Sequence, residues 1–149
     1  MSKIFTIGFT QKTAEKFFSI LQDNNINVVI DVRLNNISQL AGFSKYPDIE
    51  FFLRKICDIN YIHDLHFAPA ESTLSRYKKK VISWDQYVDE FEQTMTKRNI
   101  TQHIKENFNP SEQTICLLCS EPTAEHCHRR LIAERFGQIF EALEIVHLK

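Results

Sequence analysis

Glycine and proline are scarce, three and four residues in a chain of 149, so composition leaves no room for a long flexible linker. A membrane span is missing as well, because no unbroken apolar run approaches the ~20 residues needed to cross a bilayer. Charge of one sign is not in excess. A formal net charge of -1 removes whole-protein attraction to nucleic acid or to an anionic membrane, and only a local basic patch is left to supply it. The four cysteines have no framework-like spacing, which argues against a disulfide-stapled secreted scaffold and for a reducing, cytoplasmic setting. The stretch Met1 to Gly8 carries no secretory n-region, apolar h-region or cleavage site and reads as a first strand. What remains is the composition of an ordinary globular domain spanning 1–149, long enough to bury a core without disulfides or metal.

The apolar pattern sets out a repeating order. Ile4 to Gly8 reads as a strand and Thr10 to Asn25 as a helix, with Ala14, Phe17, Phe18 and Leu21 on one face. Asn27 to Arg33 is β-branched with no polar alternation, as suits a central parallel strand covered on both faces. Pro47 stands where a helix begins, and that helix runs to about Cys57. Tyr61 to His63 is a short third strand, and Ser72 to Lys80 a short helix. Ser83 with Gln86 three residues on forms a capping box for a helix through Trp84, Tyr87, Val88, Phe91 and Met95. Ile100 to Phe108 is helical, Thr114 to Cys119 a fourth strand, and His126 to Leu143 the clearest helix. Glu144 to Leu148 is a last strand. This order predicts a single-domain α/β fold, a mostly parallel sheet of about five strands with helices on both faces.

Such sheets bind ligands outside the carboxyl ends of their strands, and those ends are rich in reactive groups here. The second strand delivers Asp31 and Arg33, with Ser44 and Lys45 on the loop behind. The fourth delivers Cys119, Ser120 and Glu121. The last helix opens with Cys127, His128 and Arg129. A thiol facing a helix N-terminus near Arg and His has its pKa lowered, which makes Cys119 the candidate nucleophile or redox thiol. Glu121 and His128 are the candidates for proton transfer. Asp31, Arg33, Lys45, Cys127 and Arg129 are the candidate ligand-binding residues, with Arg129 beside a helix start that already attracts anions. Arg129 has a competing role as a structural ion pair with Glu121 or Asp31. Cys116 and Cys119 form a Cys-x-x-Cys, but strand side chains three apart point to opposite faces, so Cys116 is read as core. A metal held by Cys119, Cys127 and His126 or His128 is the minor alternative; no metal and no cofactor is assigned. His63 and His66 are read as structural, and the basic run Arg76 to Lys80 as a solvated face rather than a nucleic-acid contact.

These residues carry a family resemblance. The chain resembles the domain-of-unknown-function family numbered 488. Thr6-Ile7-Gly8 is similar to that family's Thr-Ile-Gly-His-Ser start, and Asp31-Val32-Arg33 and Phe43-Ser44-Lys45 to its Asp-Val-Arg and Phe-Ser/Asn-Lys elements. Phe67-Ala68-Pro69 and Trp84 to Tyr87 are similar to segments of a subfamily. Cys119-x-Glu121 followed by Cys127-His128-Arg129 matches its most specific signature. Phe9 and Thr10 depart from it, replacing His and Ser, so any chemistry that uses that His is altered here. The resemblance implies an α/β fold and a site, not a reaction. A weaker likeness in layout is to rhodanese-type domains, but the gap between Cys119 and Cys127, with Pro122 inside it, is too long for a tight anion loop. The expected function is that of a small-molecule enzyme with a thiol-containing site and an anionic, nucleotide-like ligand. The alternatives are a non-catalytic ligand- or nucleic-acid-binding module and rhodanese-like thiol chemistry. Turnover and oligomeric state are left open.

Overall fold

Five strands hydrogen-bond into one sheet in the order β3-β2-β4-β1-β5, and every neighbouring pair is parallel. The computed structural model describes residues 2–37 and 41–149. The strands are β1 (Lys3–Gly8), β2 (Val28–Asp31), β3 (Asn60–His63), β4 (Ile115–Cys119) and β5 (Glu144–His147). β4, in the middle, is buried along its whole length, as an unbroken Ile-Cys-Leu-Leu-Cys run requires when helices cover both faces. The edge strands β3 and β5 are partly exposed.

Helices α1 (Ala14–Asp23) and α2 (Asp48–Cys57) cover one face, where Phe17, Phe18, Leu21, Ile49 and Leu53 meet Ile7, Val29, Cys116 and Leu118. The other face lies under α4 (Trp84–Lys97), α5 (Ile100–Asn107) and α6 (His128–Ile139), with Phe91, Met95, Ile104, Ile132 and Phe136 against Ile30, Ile115 and Leu117. The short α3 (Glu71–Lys78) packs on α4 through Leu74 and Tyr77. The capping box at Ser83 is complete. Gln86 N–H donates to Ser83 Oγ at 3.2 Å, and the Ser83 amide donates to Gln86 Oε1 at 2.8 Å.

Two helices are shorter than their apolar periodicity predicts. α1 starts at Ala14 rather than Thr10, because Thr13 caps it by accepting from the Lys16 amide and the Thr10 amide is committed to the carbonyl of Ser120 at 3.1 Å. α6 ends at Ile139, short of Leu143. Phe140 is extended and Ala142 takes the left-handed conformation at φ 58°, turning the chain directly into β5. Phe140 and Leu143 still pack on the core, so the apolar spacing outlasts the helix.

The register brings three strand ends level. Gly8 lies opposite Cys119 and Asp31 opposite Leu118. Beyond the strands, the Phe9 amide bonds to the Cys119 carbonyl and the Val32 amide to the Leu118 carbonyl. No helix among the described residues is long and apolar enough to cross a membrane.

Candidate functional site

Asp31 and Arg33 leave the end of β2 as a mutual pair. Arg33 Nε donates to Asp31 Oδ1 at 2.9 Å and Nη2 to Oδ2 at 2.7 Å. Nη2 also donates to the Ser44 carbonyl at 2.6 Å. The Tyr61 hydroxyl donates to Asp31 Oδ2 at 2.5 Å and in turn accepts from Asn36 Nδ2 at 3.0 Å. Burial, then the Asp31 charge, holds the Tyr61 hydroxyl well above its usual range, so it stays a donor. The pair is 3% and 0% exposed, and removing either member would strand a buried charge. The guanidinium lies 5.1 Å over the Phe9 ring, so the departure from the family pattern at Phe9 sits directly against Arg33. Among the described residues Arg33 Nη1 is buried without a partner.

Strand alternation separates the two cysteines of β4. Cys116 packs under α1 and α2, and Cys119 faces α4 and α6. Burial pushes the Cys116 thiol far up. Cys119 goes the other way although it too is buried: the neighbouring Cys127 thiol, the backbone at Ser120 and the charge of Arg129 outweigh burial and lower its pKa. Cys127 is raised by burial and by donating to Cys119. His128 opens α6 and places Nε2 2.7 Å from the Val32 carbonyl. A carbonyl only accepts, so Nε2 carries the proton, and in the neutral ring Nδ1 keeps its lone pair, 3.8 Å from Cys119 Sγ.

Arg129 is fully buried. Its Nη1 donates to the Glu121 carbonyl at 2.7 Å and its Nε to Thr6 Oγ1 at 3.3 Å, while Nη2 has no partner among the described residues. Neither ion pair expected of it forms: it meets the Glu121 backbone, not the carboxylate, and Asp31 belongs to Arg33. Gly8 makes room for this contact. A Cβ there would stand 1.6 Å from the Glu121 carbonyl oxygen and 3.1 Å from Arg129 Nη1.

A cavity of about 140 Å³ opens over these strand ends. Its floor is Arg33, Cys119, Ser120, Cys127 and His128, and Glu121 and His126 stand on its side. α3 and α4 supply the opposite wall through Tyr77, Trp84 and Tyr87, with Lys78 beside them. Trp84 stacks on Tyr87 with ring centres 5.1 Å apart, and the exposed His126 packs against Trp84. Of the residues singled out in the sequence, Arg33, Cys119, Glu121, Cys127 and His128 thus share one cavity. Asp31 lies behind Arg33, and Lys45 and Arg129 do not line the space. The sequence offers no direct signal for the aromatic wall, Tyr61 or Thr6 as site residues; the Ser83–Trp84 capping box is the one local clue to the wall. Cys119, Cys127 and His128 could also hold an ion. Their ligand atoms lie within 4.8 Å of one another, two sulfurs and a nitrogen suit zinc, and metal-bound imidazoles habitually place their other nitrogen on a carbonyl. His126 is not part of this set.

Fold and site define an all-parallel α/β protein with a cysteine–histidine cluster at the carboxyl ends of its central strands. The chain belongs to the family described as domain of unknown function DUF488, whose model matches residues 13–136. That span includes the Cys119 to Arg129 signature and leaves out β1 and β5. Searches of curated proteins and of solved structures returned no match.

Proposed function

We propose that the cavity is the active site of a small-molecule enzyme in which Cys119 acts as a thiolate nucleophile. Arg129 is the observation that carries this reading. A guanidinium fully removed from water needs a counter-charge, yet Arg129 pairs with no carboxylate among the described residues. The ionisable group on which its charge acts at the cavity is Cys119. The thiolate would attack an electrophilic atom of the ligand, whose leaving group departs with the bonding electrons. His128 Nδ1 takes a proton from the water that attacks the bound atom, whose bond to Sγ breaks and returns the thiolate, and Glu121 at the side of the cavity passes that proton to solvent. Arg33 lines the floor, and its guanidinium suits an anionic or carbonyl oxygen of a nucleotide-like ligand.

A second reading, thiol or sulfur relay, is favoured by the Cys127 sulfur within reach of Cys119. A nucleic-acid role is less well supported, since Arg76 of the basic run is tied to Glu90. The test is alkylation by iodoacetamide across pH, mapped by mass spectrometry. Cys119 should react with a midpoint below the ordinary thiol value of about 8.5, and Cys119→Ser should abolish that phase. A Cys119 no more reactive than the half-buried Cys57 at every pH overturns the proposal.

A further inference from the structure

We infer that Asp64, His66 and His103 form a binding site for a divalent transition-metal ion of the zinc class, beyond the end of β3 and separate from the cavity. Asp64 caps the short turn Leu65–Phe67, and its carboxylate is only 8% exposed. Oδ1 lies 2.9 Å from His66 Nδ1 and Oδ2 lies 2.7 Å from His103 Nε2. The three donor atoms fall within 4.8 Å of one another. No lysine or arginine among the described residues pairs with this carboxylate. Arg98 is spent on the turn itself, where its Nη1 donates to the carbonyls of Leu65, His66 and Ala68. Apart from the His66 amide, which donates to Oδ1 at 3.0 Å, a nearly buried anion is therefore left to two imidazoles, and a divalent ion between the three groups would supply the missing charge.

The ligands are held in place before any ion arrives. His103 sits edge-on to Phe67 and Phe108, with ring centres 5.5 and 6.0 Å away, and His66 stacks on it at 4.0 Å. Such packing restricts ring rotation before an ion arrives, so less of it is lost on binding. When the ion takes His66 Nδ1 and His103 Nε2, each ring carries its proton on the far nitrogen. For the 57% exposed His66 that nitrogen reaches water. For His103 it faces the Asn107 side-chain amide at 3.3 Å, which accepts the proton by turning its oxygen inward and giving up its 2.8 Å bond to the His103 carbonyl. Two imidazoles and one carboxylate suit zinc, cobalt or nickel rather than magnesium or calcium. The open side of His66 leaves coordination positions for water or an outside ligand.

Cobalt(II) absorption tests this on the full chain, because sulfur ligands add a charge-transfer band that nitrogen and oxygen ligands lack. We expect one bound equivalent without that band. It should persist in the Cys119→Ser/Cys127→Ser double variant and weaken at least about tenfold in His66→Ala and in Asp64→Asn, since even outer-shell partners of a metal cost 10–100-fold. His66 is exposed enough that its removal leaves the core intact. If the sulfur-free equivalent is absent, or binds His66→Ala as tightly as the native chain, the site is refuted. Cobalt that binds only with the sulfur band and is lost in the double variant refutes it equally.

Discussion

Arg129 and Cys119 are coupled through burial. Water cannot screen the guanidinium, and its hydrogen bonds go to neutral oxygens of Glu121 and Thr6, so its charge is felt by the groups around it, among them Cys119, on which it acts after Cys127 and the Ser120 backbone. Arg129→Met keeps the length of the side chain and removes the charge. The pKa of Cys119 should then rise toward the ordinary thiol value, while Arg129→Lys keeps it depressed. The pH midpoint of Cys119 alkylation reads both, and an unmoved midpoint in the Met variant would show that Cys127 alone stabilises the thiolate. Gly8 gives a second test at this scale. The Glu121 carbonyl that receives Arg129 approaches within bonding distance of where a Cβ would be, and it is backbone, with no rotamer into which to retreat. Gly8→Ala should cost roughly 3 kcal/mol in urea unfolding, at the upper end of ordinary overpacking. A loss below about 1 kcal/mol would mean that the loop after β4 moves aside without penalty.

Elements were legible in the sequence where one physical rule decided them. The Ser83–Gln86 box predicts the start of α4 because two side chains satisfy two amides there, and both bonds form. Ser83→Ala should therefore lower stability by about 1 kcal/mol, measured by the shift of the urea midpoint, and an unchanged midpoint would show that the cap is idle. Cys119, Glu121 and the start of α6 were legible for a similar reason: a strand end facing a helix start concentrates polar groups wherever the order of elements predicts a parallel sheet. Where tertiary contacts decide, the sequence was silent. The end of α6 is set by the turn into β5, which apolar spacing cannot register because Phe140 and Leu143 keep packing after the helix stops. Tyr61 reaches Asp31 across thirty residues, and Trp84 and Tyr77 roof the cavity from helices whose angle over the sheet has no local signature. Lys45 and Arg129 are candidate ligand-binding residues by their charge near a strand end, and neither lines the cavity, since charge is legible in a sequence and direction is not.

At the scale of the whole molecule, stability should fall steadily above neutral pH, because burial has acted on most of the weak acids in one direction. The thiols of Cys57, Cys116 and Cys127 are raised, each by burial first, and so are the hydroxyls of Tyr61, Tyr77 and Tyr87. In the unfolded chain the thiols lose their protons near pH 8.5 and the tyrosines near pH 10, while the folded state still holds them. The folded state then binds more protons, so stability drops as pH rises through these values, by up to about 1.4 kcal/mol per pH unit for the deeply buried Cys116, Cys127 and Tyr87 in their windows, and by less for Cys57, Tyr61 and Tyr77, which water screens. Two groups work against the trend. Cys119 has a lowered pKa, so its thiolate adds stability that is complete above pH 8.5 and lost as pH falls. Lys12 is lowered by burial and by Arg129, so the folded chain sheds that proton before the unfolded one does. Six groups against two give a net alkaline decline. Urea unfolding under reducing conditions at intervals from pH 7 to about 11 should show the decline beginning near the thiol value and steepening near the tyrosine value. Cys116→Ala should flatten the first part and Tyr87→Phe the second, each relative to its own stability at neutral pH. A curve level through pH 10 would mean that water reaches these groups in the folded protein.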